Sequence, residues 1–238
     1  VNANPYPQIT IMSFIKRMGI LCLLFFSGAC WGQDDLLGLL QPQVSLNYSL
    51  NPHYAHNISF AQRVLFLNPV NSGIETIHLD LAHFSNFKLP RQRIIGLGIM
   101  YRLREPFEGP DQNELRLTQQ FNLIHRKHSI LFVNRFRTEQ RIVPSRTVHR
   151  FRYRFSADGP VQGKKLDPGE LYWVGNLEAL NSVGKGIRPV YGLRATAWLG
   201  YLASDTAKIQ VGTEYRRVGL WLEGRPVLFL LSSLILNL

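Results

Sequence analysis

HRFRYRF, residues 149–155, sets arginine at 150, 152 and 154 against phenylalanine or tyrosine at 151, 153 and 155. In an extended strand, successive side chains point to opposite faces. One face of this stretch is therefore cationic and the other aromatic. A single-strand nucleic-acid site needs rings and cations on one shared surface, so strand geometry argues against that use. A strand with lipid on one side and a polar interior on the other satisfies both faces at once. An arginine turned toward lipid at mid-membrane costs about 2–4 kcal/mol. Three such errors would consume much of the roughly 5–15 kcal/mol that holds a fold, so the register is tightly specified.

The same period of two runs along most of the chain. Ile95, Leu97, Ile99, Tyr101 and Leu103 alternate with Gly96, Gly98, Met100, Arg102 and Arg104. Leu115, Leu117, Phe121 and Leu123 oppose Glu114, Arg116, Thr118, Gln120 and Asn122. Ile130, Phe132 and Phe136 oppose Arg135, Arg137, Glu139 and Arg141. Alternation recurs from Tyr191 to Leu199 around Arg194, and from Ala207 to Tyr215 around Glu214, with Arg216 next on the polar face. Weaker versions cover Val44–Leu50, Ile58–Phe66, Ile74–Phe84, Leu171–Ala179 and Val227–Leu238. Each reads as a half-apolar strand, making eleven with HRFRYRF. Most are longer than the five or six residues typical of soluble strands and match the roughly nine to eleven of a transmembrane strand.

No stretch after Gln33 approaches the roughly 18 apolar residues of a membrane helix. A chain that enters a membrane as strands must close into a barrel, because open edges cannot be satisfied in lipid. The predicted fold is all-β: one antiparallel transmembrane β-barrel of about 12 strands, with ten as the alternative. Even strand numbers are the rule in bacterial barrels, so parity calls for a twelfth strand, placed at Asp34–Gln41. The turns at Asn51–Tyr54, His125–His128 and Ser204–Asp205 read as short. Those at Glu105–Asp111, Ala157–Gly169 and Asn181–Gly186 read as longer. A soluble periplasmic β-sandwich would alternate too. Against it stand the rows of arginine, glutamate and glutamine on the polar faces. Rings also recur near strand ends (Tyr48, Tyr101, Phe155, Trp173, Tyr191, Tyr201 and Tyr215), as girdles of a membrane barrel do.

The chain start supports export. From Met12, a basic Lys16-Arg17 pair precedes the short apolar run Ile20–Phe26 and the small residues before Gln33, the pattern of a signal peptide over residues 12–32. Residues 1–11 are expected to be a non-native upstream extension. Cys30 would be the acylated residue of a lipoprotein, but serine at position 27 departs from the usual leucine. Of the formal net charge of +11, removal of residues 1–32 leaves +9 and no cysteine, since Cys22 and Cys30 are the only two. No thiolate nucleophile or thiolate metal site is then available.

Glu114-Leu-Arg-Leu-Thr-Gln-Gln120, Phe136-Arg-Thr-Glu-Gln-Arg141, Arg150-Phe-Arg-Tyr-Arg154, Asn176-Leu-Glu178 and a final strand ending LLSSLILNL occur in this order. In order and spacing they resemble the uncharacterised Gram-negative outer-membrane family known as domain of unknown function 2490. The resemblance runs over about Gln43–Leu238. It implies an outer-membrane barrel in which Glu114, Arg116, Gln120, Arg137, Glu139, Arg141, Arg152, Arg154 and Glu178 point inward. It implies no activity. The final leucine, where barrel C-termini usually carry phenylalanine, is a departure.

The expected lumenal network comprises these residues together with Arg135, Arg150, Arg194, Glu214 and Arg216. Such arginines either pair with the glutamates and brace the barrel, or attract anions in a pore or pocket. Contact with lipopolysaccharide phosphates would better suit the loop residues Lys164, Lys165 and Lys185. His83-Phe84-Ser85-Asn86 resembles the H-x-S-N motif of outer-membrane lipid A deacylases, where histidine activates serine. No acid occurs from Asn86 to Arg104 to orient His83. His125 and His128 lack a carboxylate or thiolate partner for a metal. The resulting expectation is a non-enzymatic barrel without metal or cofactor, a structural component or a narrow anion-binding pore. Its expected partners are outer-membrane lipid, lipopolysaccharide and, during insertion, the barrel-assembly machinery. It is expected to be a monomer that binds no nucleic acid. A hydrolase using His83 and Ser85 is the competing class.

Overall fold

The structure, a computed structural model, describes residues 37–68, 73–106, 113–219 and 226–238. The leader, both cysteines and the upstream extension lie outside the described residues.

Eleven strands account for the fold: β1 (Leu37–Asn51), β2 (Tyr54–Leu67), β3 (Glu75–Leu89), β4 (Arg93–Arg104), β5 (Glu114–Lys127), β6 (Ile130–Val143), β7 (Arg146–Pro160), β8 (Leu171–Gly184), β9 (Ile187–Leu202), β10 (Ala207–Val218) and β11 (Pro226–Asn237). Each pairs with its sequence neighbour, and β1 pairs with β11 to close the ring. All eleven strands read from the alternating pattern are present; the twelfth, expected for parity, is not a separate strand among the described residues.

The count settles between the ten and twelve expected. Leu37–Gln41, placed in a separate twelfth strand, is continuous with β1. Residues 34–36 lie outside the described residues. An odd number of consecutive antiparallel strands leaves the first and last running the same way. Closure is accordingly parallel, with Leu37–Asn47 set against Val227–Asn237, whereas an all-antiparallel ring was expected.

Strand direction sorts the connections onto two rims. The turns around 52–53, 90–92, 128–129 and 203–206 share one rim with the 161–170 loop and the C-terminal end of β11. The opposite rim holds the start of β1, the two-residue turns at Pro144-Ser145 and Lys185-Gly186, and the C-terminal ends of β2, β4 and β10. Asn181–Gly186, expected to be a longer loop, is mostly strand. Gly186, at φ 73°, supplies the left-handed residue that lets the turn be tight.

Alternation separates the two faces. Leu97, Ile99, Leu177 and Val211 are about half exposed or more, while Glu114 and Glu139 are 1% exposed. The apolar residues thus face outward and the charged ones are enclosed. Inward rings fit by packing over inward glycines of a neighbouring strand. A β-carbon at Gly98 would overlap the Phe84 ring, and one at Gly200 would overlap Tyr172. This explains Gly98 in β4, whereas a β-carbon at Gly96 would overlap the Gln120 side chain. A small apolar cluster of Leu39, Phe229 and Leu231, packed with Leu65, Ile77, Trp198 and Val227, lies beside the closing seam.

Candidate functional site

Strand register places the lumenal charges in rows. Arg135 stands beside Arg154, Arg154 beside Glu178, Glu178 beside Arg194, and Arg194 beside Arg216. The next row sets Gln120 beside Arg137 and Arg137 beside Arg152. A third sets Glu139 beside Arg150, and Arg150 beside Ser182. Like charges directly opposite on a sheet repel, so guanidiniums crowded this way need carboxylates between them.

Five buried carboxylates serve that role: Asp80, Glu114, Glu139, Glu178 and Glu214. Glu114 accepts from Arg104 at 2.7 Å, Arg116 at 2.5 Å and Arg141 at 2.7 Å. Glu178 takes Arg152 at 2.6 Å and Arg154 at 2.9 Å, with Arg194 at 3.4 Å. Arg152 also donates to Glu139 at 2.6 Å, joining two hubs. Arg137 approaches Glu139 at 3.6 Å and donates to Gln120 at 2.7 Å. Glu214 accepts from Arg216 and from the Thr196 hydroxyl. Asp80 takes a two-pronged contact from Arg102 at 2.6 and 2.7 Å. Such forked pairs are the strongest protein ion-pair geometry.

Three lumenal arginines have no carboxylate within 4 Å among the described residues. Arg63 donates to Gln41, Arg150 donates to Ser182, and Arg135 has neither an ion pair nor a side-chain hydrogen bond. Phe229 lies between two cations, with the Arg63 and Arg216 guanidiniums 4.9 and 3.7 Å from its ring centre.

Within this network is a cavity of about 250 Å3. Eight arginines border it (Arg63, Arg102, Arg116, Arg137, Arg152, Arg154, Arg194 and Arg216) against three carboxylates, Asp80, Glu139 and Glu214. The buried Nε atoms of Arg137 and Arg194, and Oε2 of Glu139, have no hydrogen-bond partner among the described residues. At the opposite rim from the C-terminus, a second cavity of about 450 Å3 is bordered by Arg104, Glu114, Arg141 and Arg146.

Every residue of the expected network is therefore enclosed. Asp80, Arg63, Arg102 and Arg104 belong with it but stood outside the predicted set. Asp80 was legible: it and Arg102 are equidistant from position 91 in the β3–β4 turn, so hairpin counting pairs them. Arg63 lies at a register shift between β2 and β3, which pattern reading does not locate.

His83 and Ser85 share the outward face of β3, two residues apart. Neither engages the other. A nitrogen of His83 lies 2.9 Å from His56 Nδ1, and the Ser85 hydroxyl accepts from Tyr54 at 2.9 Å. His125 and His128 lie at the end of β5 and in the turn after it. No group of three metal-ligating side chains occurs among the described residues. Lys164 and Lys165 sit on one rim and Lys185 on the other, so the three do not form one patch.

Residues 42–221 match a family described as "Protein of unknown function (DUF2490)". No curated protein and no solved structure matches the chain.

Proposed function

The chain belongs to the DUF2490 family, and from the barrel's closure and sidedness we propose that it is an outer-membrane β-barrel whose lumen is a narrow anion-binding passage. The observation that carries this is the cavity with eight arginines against three carboxylates. Carboxylates, Glu114 and Glu178 behind the lining included, neutralise part of that charge and brace the wall; the excess of arginine keeps the lumen positive toward an anion, with Arg63 the lining arginine that contacts no carboxylate among the described residues. The apolar outer surface supports membrane insertion, since leucine, isoleucine and valine would otherwise be left in water around the whole circumference. Rings at both ends of the strands suit the two interfaces.

Refolded protein in a planar bilayer under a potassium chloride gradient tests the reading. The expected result is a small conductance whose reversal potential favours chloride. A conductance favouring potassium, or none under any polarity, rejects the passage.

The hydrolase reading keeps one supporting feature, the shared outward face of His83 and Ser85. It would require the Ser85 hydroxyl to leave Tyr54 and approach His83. Loss of lipid A deacylation in Ser85→Ala, against a measurable activity in the unaltered chain, would favour it over the passage.

A further inference from the structure

A concavity of about 720 Å3, larger than the lumenal one, opens on the outer wall over β5–β9. Phe136, Phe151, Tyr153 and Tyr191 border it, and Gln119, Thr138 and Asn181 contribute polar groups. Gln119 and Thr138 are register partners. The Thr138 hydroxyl donates to Gln119 Oε1 at 2.6 Å, and Gln119 and Gln140 exchange amide hydrogen bonds at 3.1 and 3.2 Å, all three exposed. Beside them the Tyr153 hydroxyl donates to Asn134 at 2.7 Å.

This group lies at the wrong height for an interface girdle. Gln119 is the sixth residue of fourteen in β5, and Thr138 the ninth of fourteen in β6. On β9, β10, β11 and β1 no outward position carries an amide; their mid-height outward residues include Ala195, Val211, Leu230 and Val44. In hydrocarbon, polar groups are retained where they meet protein partners.

We propose that this face docks against the same face of a second copy of the chain, forming a two-fold dimer within the membrane. The inference rests on the membrane reading above. The hydrogen-bond inventory selects the occupant. An amide nitrogen carries two hydrogens and its oxygen two lone pairs. Within the Gln119–Thr138–Gln140 group each amide has one N–H committed and one free, while Gln140 Oε1 and the Thr138 hydroxyl retain acceptor capacity. A surface that keeps both free donors and free acceptors, here two N–H groups and three acceptor sites, can complement its own copy across a two-fold contact. An acyl chain offers neither. The rings around the concavity supply the close-packed apolar rim. The dimer departs from the monomer expected from sequence.

Thiol cross-linking in lipid vesicles tests it, because the described residues contain no cysteine. Leu117→Cys places a thiol on the proposed face and Val44→Cys places one on the distant wall. A short bis-maleimide should join Leu117→Cys into a dimer and leave Val44→Cys monomeric. Adding Gln119→Leu and Gln140→Leu to Leu117→Cys should cut the dimer yield at least several-fold, with heat-modifiable gel migration retained. Equal yields at both positions, no dimer at either, or a yield indifferent to the two leucines overturns the proposal. Alkaline extraction of the vesicles runs in parallel. Protein released by alkali overturns the dimer and the membrane reading together, whereas protein retained but not cross-linked overturns the dimer alone.

Discussion

Glu178→Gln is the substitution that asks most of the lumenal network. Glu178 is the only carboxylate within 4 Å of Arg154 and Arg194 among the described residues, and one of two for Arg152. Its side chain is 3% exposed, and those of Arg152 and Arg194 are 8% and 11%. Removing one partner of a buried pair costs about 3–5 kcal/mol, because the remaining charge is uncompensated. Here two guanidiniums lose their carboxylate, while Arg152 retains Glu139 at 2.6 Å. Arg154, at 24% exposure, is partly screened by water and contributes less. The amide at 178 still offers one acceptor. The expected loss is therefore about 3–5 kcal/mol rather than twice that, a large share of the roughly 5–15 kcal/mol available to a fold. Equilibrium unfolding in urea with the refolded protein in vesicles, followed by tryptophan fluorescence, measures it. A loss below about 0.5 kcal/mol, the range of neutral surface changes, would mean that the guanidiniums are adequately hydrated and that the network does not brace the wall.

Arg135→Gln should behave oppositely. With no carboxylate partner and with Arg154 as its register neighbour, its removal should leave urea stability unchanged or raised, and should lower chloride preference in the bilayer. Gly98→Val should cost about 1–3 kcal/mol by overpacking against Phe84, and Phe84→Ala in the same chain should recover part of that loss in the same titration. Ile99→Arg, on the outward face at mid-strand, should cost about 2–4 kcal/mol in vesicles; an unchanged unfolding midpoint would mean that this face does not meet lipid.

Local pattern made the strands and their faces legible, because a period of two is written into each segment independently of its neighbours. The Glu114 and Glu178 hubs were half legible. Alternation turns these residues inward, but which arginines reach each carboxylate depends on register across several strands. Arg104 reaches Glu114 although Arg102 is the register partner of Glu114. The closing pair was not legible, since parity was argued from an all-antiparallel ring and the chain closes through a parallel β1–β11 pairing. The motif at His83 and Ser85 shows why spacing alone does not make a catalytic pair. Two residues i and i+2 share a face, yet cross-strand neighbours Tyr54 and His56 take their hydrogen bonds. Gln119 passed unnoticed because it sits alone among the apolar outward residues of β5, and only pairing of β5 with β6 brings it to Thr138 and Gln140, which lie two apart on β6.

The most direct test returns to β7. Spin labels placed one at a time at positions 151, 152, 153 and 154 of vesicle-embedded protein would be read by their collisions with oxygen, which concentrates in lipid, and with a water-soluble nickel chelate. The account predicts strict alternation, with oxygen collisions high at 151 and 153 and low at 152 and 154. Uniform oxygen access across the four, or higher access at the arginine positions, would contradict it.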